Sequence, residues 1–263
     1  MPAHIAAERN CSESLAALLK LHVSIATSCV SWAAKSGSVE SLRLLISRGG
    51  SCGGEEGRMT PLALAAAEGH LECCQILLEG LVLSPSRLIF STSVREALTA
   101  AALECRPEVI SLLMDAAFEH GGSSLCSDLL TSLGHDGDTP IITCAREPVL
   151  RLECLQRLLL IELQKMPGET DVDPPLPPSR STSKEPKLRG FARDLLKESH
   201  KDEGLTFFGS GPVTALPLCL LQGEDGFPFA NFLLNVGGVM LLNHPNSMHE
   251  TPLFFLLNRL SST

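Results

Sequence analysis

The stretch Thr60-Pro61-Leu62-Ala63-Leu64-Ala65-Ala66-Ala67-Glu68-Gly69-His70 runs directly into Leu71-Glu72-Cys73-Cys74-Gln75-Ile76-Leu77-Leu78, and its reading decides the fold. Pro61 suits a first helical turn, where its missing N–H has no partner to lose. The alanine run lets a second helix approach closely. Gly69 supplies the left-handed conformation that ends a helix. Leu71, Cys74, Leu77 and Leu78 then fall on one face at the three-to-four residue spacing of an amphipathic stripe. The unit is helix, tight turn, helix.

The same template recurs along the chain in a phase that keeps paired leucines aligned. Ser28 to Gly37 leads into Val39-Glu40-Ser41-Leu42-Arg43-Leu44-Leu45, and Glu96 to Ala102 leads into Glu108 to Leu113. Thr139-Pro140-Ile141 opens a copy that ends on Leu158-Leu159, and Thr214-Ala215-Leu216-Pro217 one that ends on Leu233-Leu234. Thr251-Pro252-Leu253 opens another. Met1-Pro2-Ala3-His4 occupies the same frame, so units start near 1, 28, 60, 96, 139, 214 and 251.

This pattern resembles the ankyrin repeat family, whose units of about 33 residues carry a Thr-Pro-Leu-His-x-Ala signature. The resemblance implies an all-α, ankyrin-like helix-turn-helix solenoid with units over 1–163 and 213–263. The signature His survives only as His4, with Ser31, Ala63, Thr99, Ile142, Pro217 and Phe254 elsewhere, which implies weaker units. Pro217 is expected to disturb the start of its helix. Both termini fall inside repeats, so the raw ends of the stack should expose Ile5, Leu15, Leu253, Phe255 and Leu256, as in an excerpt of a longer array.

Composition agrees with this architecture. The 263 residues are 44% hydrophobic but only 4% aromatic, with one Trp and no Tyr, so the core must be built from Leu and Ala. That favours close-packed helices over β-sandwiches. Residues 164–212 differ in kind: Pro167, Pro174, Pro175, Pro177, Pro178 and Pro186, with Ser, Thr and Asp between them, read as an extended, disordered insertion. Residues 187–198 have the spacing of a short helix, able to dock on a partner or on the solenoid. Pro174-Pro175-Leu176-Pro177-Pro178 is a linker composition that aromatic-lined grooves also bind.

The net charge of −9 gives no field for collecting phosphates, which argues against nucleic-acid binding. No basic n-region precedes an apolar stretch, and no apolar run approaches the roughly 20 residues of a membrane helix. The chain reads as intracellular, cytoplasmic or nuclear, with its ten cysteines reduced and structural. No phosphate-cradling glycine loop is present, and Gly209-Ser210-Gly211 is too short for a nucleophile elbow. His70, Cys73 and Cys74 share a helical face as zinc ligands would, but their places in the repeat explain them better. His135, Asp136 and Asp138 sit where Asp-Gly is turn chemistry. We therefore expect no catalytic residue, metal or cofactor.

What remains is surface. The resemblance implies a concave groove formed by the hairpin tips and the exposed side of the first helices. The candidate contacts are Arg58, Met59 and Glu68; Asp136, Asp138 and Glu147; and His249 and Glu250. Residues 59–165 alone come to −7, so the groove should favour a partner protein with a basic or mixed surface. Reversing Asp136 and Asp138 to Lys should then cut binding without loss of helix. Two functions fit: a scaffold or adaptor, or the non-catalytic targeting region of a larger enzyme such as a ubiquitin ligase, kinase or acyltransferase. Oligomeric state has no sequence signal.

Overall fold

The computed structural model describes residues 2–20, 27–53, 58–83, 86–132, 138–159, 214–237, 242–243 and 248–260. The expected Pro-Pro-Leu-Pro-Pro linker and the 187–198 helix lie outside these residues. The described residues form helices α1 (Pro2–Glu8), α2 (Ser12–Lys20), α3 (Thr27–Lys35), α4 (Val39–Ser47), α5 (Pro61–Glu68) and α6 (Leu71–Val82). They continue with α7 (Arg87–Leu103), α8 (Pro107–Thr131), α9 (Pro140–Ala145) and α10 (Pro148–Leu159). After residue 213 come α11 (Ala215–Leu220), a 3₁₀ turn at Gly223–Gly226, α12 (Phe227–Gly237) and α13 (Pro252–Leu260). No strand occurs among the described residues.

These helices stack in two rows, as an all-α repeat solenoid requires. The first helices α1, α3, α5, α7, α9, α11 and α13 each pack on the next, and the second helices α2, α4, α6, α8, α10 and α12 do the same. α9 touches α11 and α10 touches α12, so the stack is continuous across the 160–213 segment. Each hairpin closes as its residues dictate. Thr60 caps α5, accepting a hydrogen bond at Oγ1 from the Ala63 N–H at 3.3 Å, with Pro61 in the first turn. Gly69 ends α5 in the left-handed region (φ 83°), where the Gly69 and His70 N–H groups donate to the Ala66 and Ala65 carbonyls. Thr139 repeats the cap through the Ile142 N–H.

Two expectations meet a different structure, and a third takes a definite form. Pro217 disturbs the start of its helix while α11 still forms around it. What it removes is the cap: Thr214 has no side-chain cap bond, because the residue that would donate, Pro217, lacks an N–H. Leu15 is fully buried rather than exposed, whereas Ile5 and Leu253 are exposed. Helix α7 begins at Arg87, upstream of the expected unit start near 96, capped by Ser86 Oγ accepting from the Ile89 N–H.

The core is Leu, Ala and Cys. Ala7, Ala33, Ala34, Ala65, Ala66, Ala97 and Ala101 are fully buried where first helices meet, and Leu42, Leu45, Leu77 and Leu113 are fully buried on the second helices. All ten cysteines are free thiols, and eight are buried. Burial pushes the Cys74 and Cys219 thiols up to about 12 and Cys73 to about 11, so they remain protonated and inert.

A ladder of side-chain donors registers one repeat on the next. The carbonyl at the C-terminal end of each first helix has no partner within the helix. In five successive steps a residue of the following repeat supplies one. Ser38 Oγ donates to Glu8 O at 2.8 Å, and the His70 ring nitrogen Nε2 bonds Lys35 O at 3.1 Å. Arg106 Nε donates to Ala67 O at 3.0 Å, Arg151 Nη2 to Leu103 O at 2.7 Å, and Gln222 Nε2 to Arg146 O at 3.4 Å. The turn glycines lie beneath these side chains. A Cβ on Gly37 would meet the His70 ring at 2.8 Å, and one on Gly69 would meet Arg106 Cδ at 3.1 Å.

Candidate functional site

Along the first helices, small buried residues face the neighbouring repeats and leave one row pointing outward. In the repeat frame that row includes Ile5, Trp32 and Leu64. Ile5 is 51% and Trp32 43% exposed, an unusual placement for the one tryptophan of the chain. Trp32 forms, with Ser28, Ser31, Leu64 and Met59, a groove of about 270 Å³ edged by Lys35 and Arg58. Met59, just before the Thr60 cap, is itself 46% exposed. This pocket has an apolar floor and a cationic rim, a shape that accepts an apolar side chain next to an acidic or polar group.

The turns that follow the first helices carry the opposite charge. Glu68, Glu104 and Glu147 occupy equivalent positions at the C-terminal ends of α5, α7 and α9, and all three are exposed. A carboxylate there opposes the helix dipole, at a cost of about 0.3–1 kcal/mol. Packing does not demand these residues. Glu147 is held in an ion pair with Arg151 at 3.1 Å. Farther along, Glu224 and Asp225 are exposed at the turn after α11.

The sequence-derived candidates separate accordingly. Arg58 and Met59 fall together at the Trp32 groove, and Glu68 and Glu147 on the acidic edge. Asp138 is only 17% exposed at its side chain and accepts from the Arg146 guanidinium at 2.6 Å, so it braces the entry to α9 rather than offering a free charge. Asp136 lies outside the described residues. His249 is exposed, in the left-handed region (φ 60°), and adjoins Glu250 ahead of α13, away from the Trp32 groove. Sequence reasoning passed over Trp32, Lys35, Leu64 and Glu104. The available signal was a tryptophan at a frame position filled by Leu64, Ala100, Thr143, Leu218 and Phe255 in the following copies.

The described residues contain no group of three or more His, Cys, Asp or Glu placed to hold a metal ion. The zinc reading of His70, Cys73 and Cys74 fails on geometry, because the imidazole reaches back to the Lys35 carbonyl while both thiols are buried. Among the described residues no helix is long and apolar enough to cross a membrane.

Comparison with known proteins follows the repeat. Residues 3–86 match the family model described as ankyrin repeats, in three copies. No curated protein matches the chain significantly. Among solved structures, the crystal structure of the human ASB11 ankyrin repeat domain aligns at 20% identity and a TM-score of 0.37, covering 63% of this chain and 86% of that chain.

Proposed function

We propose that this chain, an ankyrin repeat protein whose repeats are matched over residues 3–86, is a scaffold or adaptor that binds a partner protein along its concave face. Ankyrin repeats are in general protein–protein interaction modules, and the stiffness of the two-row stack suits that role. The observation that carries the reading is Trp32, a large apolar side chain left exposed beside Met59 in a groove on the first-helix row. Exposed aromatic residues that find a partner pocket dominate interface energies. The partner presents an apolar anchor to Trp32 and Met59, and a basic or mixed surface to the edge carrying Glu68, Glu104 and Glu147. The net charge of −9 steers a basic partner toward the chain, more weakly as salt rises.

The test uses the full chain as bait in an affinity capture, side by side with Trp32→Ala/Met59→Ala and with a control variant, Leu83→Ser, on the second-helix side. Partners that depend on the concave face are retained by the control and lost from the double variant, and a charge-reversed Glu68→Lys/Glu104→Lys chain retains them less at low salt. Capture unchanged by the double variant would refute the groove assignment. The alternative, the targeting region of a larger enzyme, uses the same surface and is separated by finding a catalytic signature in the flanking reading frame.

A further inference from the structure

The repeat that opens at Ser86 is built differently from its neighbours. α7 begins well upstream of the part that stacks on α5, and α8 continues past a kink at Gly122 (φ 66°, ψ −165°), a conformation open to glycine alone. The two extensions pack on each other through Phe90 and Val94 on one side and Cys126, Leu129 and Leu130 on the other, all buried. His120 sets its ring edge-on to Phe90 at 5.6 Å, and Arg87 Nη2 donates to the His120 carbonyl at 3.2 Å. Between the extensions runs a groove of about 670 Å³, walled by Arg87, Leu88, Ser91 and Arg95 from α7 and by Leu125 and Asp128 from α8.

The charges in this groove stand out against their surroundings. Residues 59–165 sum to −7, yet the groove has two arginines and one carboxylate. The other described arginines of that stretch are engaged: Arg106 on the Ala67 carbonyl, Arg146 on Asp138, Arg151 on Glu147 and Arg157 on Glu153. Arg87 and Arg95 form no ion pair among the described residues, and both are exposed. Arg87 is oriented by its bond to His120 and keeps further N–H groups for a ligand. Leu88 is 72% exposed at the rim. The Ser91 hydroxyl, between the two arginines, donates to the Leu88 carbonyl, so its oxygen is left to accept from a peptide N–H.

We propose that this groove is a second docking site, separate from the concave face, for an extended acidic peptide carrying two carboxylates about 12 Å apart with an aliphatic side chain between them. The spacing follows from the eight-residue separation of Arg87 and Arg95 at the helical rise, which matches about four residues of extended chain. The aliphatic side chain rests on Leu88 and Leu125, and Asp128 on the far wall takes a peptide N–H. Two guanidinium groups fix the register of the pair of carboxylates.

The experiment is fluorescence anisotropy of the full chain with a labelled extended peptide holding two glutamates four residues apart and a leucine midway. Expected are saturable binding that weakens with salt, a loss of about tenfold or more in Arg87→Glu/Arg95→Glu, and affinity unchanged in Trp32→Ala, which separates this site from the concave groove. Far-UV circular dichroism checks that the variant folds, and Arg87→Gln/Arg95→Gln replaces it if it does not. Absence of binding to the wild-type chain, equal affinity in the arginine variant, or equal affinity for the same peptide with lysines in place of the glutamates would overturn the proposal.

Discussion

Replacing Arg151 with Met should uncouple the second half of the solenoid from the first. Arg151 is 7% exposed, on α10, and its guanidinium reaches three elements at once. Nη1 donates to Thr143 O at 2.8 Å, Nη2 to Leu103 O at 2.7 Å, and Nε to Cys105 Sγ at 3.4 Å, while Glu147 provides the counter-charge at 3.1 Å. Methionine fills the stem volume but donates nothing. The buried Thr143 carbonyl and the partly buried Leu103 carbonyl then lose a charge-assisted partner, and an orphaned buried acceptor costs about 1–3 kcal/mol, less where water can reach it. Glu147 is 56% exposed at its side chain and re-solvates, and the desolvation of a buried cation is relieved, which offsets part of the loss. The sum is about 2–4 kcal/mol, concentrated at the contact of α9 and α10 with α7 and α8. Because repeat stability is a sum over neighbouring interfaces, the loss should appear as a split transition. Trp32 is the one tryptophan and sits in α3, so its fluorescence follows the first repeats, whereas far-UV circular dichroism follows all helices. In urea, Arg151→Met should move the dichroism midpoint to lower denaturant and leave the Trp32 midpoint nearly in place. Arg151→Lys should lie between, since one ammonium cannot serve three acceptors. A change below about 0.5 kcal/mol in Arg151→Met would refute the reasoning, because no buried hydrogen-bonded group of this kind is lost so cheaply.

Two further outcomes follow from the same geometry. Thr60→Val removes a cap that accepts from the Ala63 N–H and should cost about 1 kcal/mol, whereas Thr214→Val, at a position where Pro217 leaves nothing to accept from, should cost a small fraction of that in paired urea titrations. Alkylation at mildly alkaline pH should modify Cys11, which is exposed, long before Cys74 and Cys219: desolvation raises the latter pair to about 12, so their thiolate fraction is about a thousandfold below that of a thiol at the usual value. Mass spectrometry of the intact chain against time checks the order, and equal rates would show that the repeats open freely.

The hairpins were legible because each depends on residues adjacent in sequence. Thr60, Pro61, Gly69 and the leucine pair each have a local reason for their position, and Thr139 with Pro140 repeats the first two. Leu15 was misjudged because burial at a stack end depends on which helices close over it. Met59 was legible as a candidate contact and Trp32 only as a residue within a repeat, but that they share one groove depends on the height at which α3 and the Thr60 turn sit against each other.

By itself the sequence determined the repeat phase, the helix-turn-helix unit, the capping chemistry and the small-residue core, since all of these are set by spacing and by backbone preference at single positions. Only the tertiary structure decided how the units register. The five carbonyls at the ends of the first helices are met by Ser, His, Arg, Arg and Gln, and no pattern links such different donors until the repeats are stacked. Continuity from α9 to α11 and the arginine groove between the extensions of α7 and α8 are of the same kind. They join residues far apart in the chain, and a repeat pattern read locally holds no term for contacts across such distances.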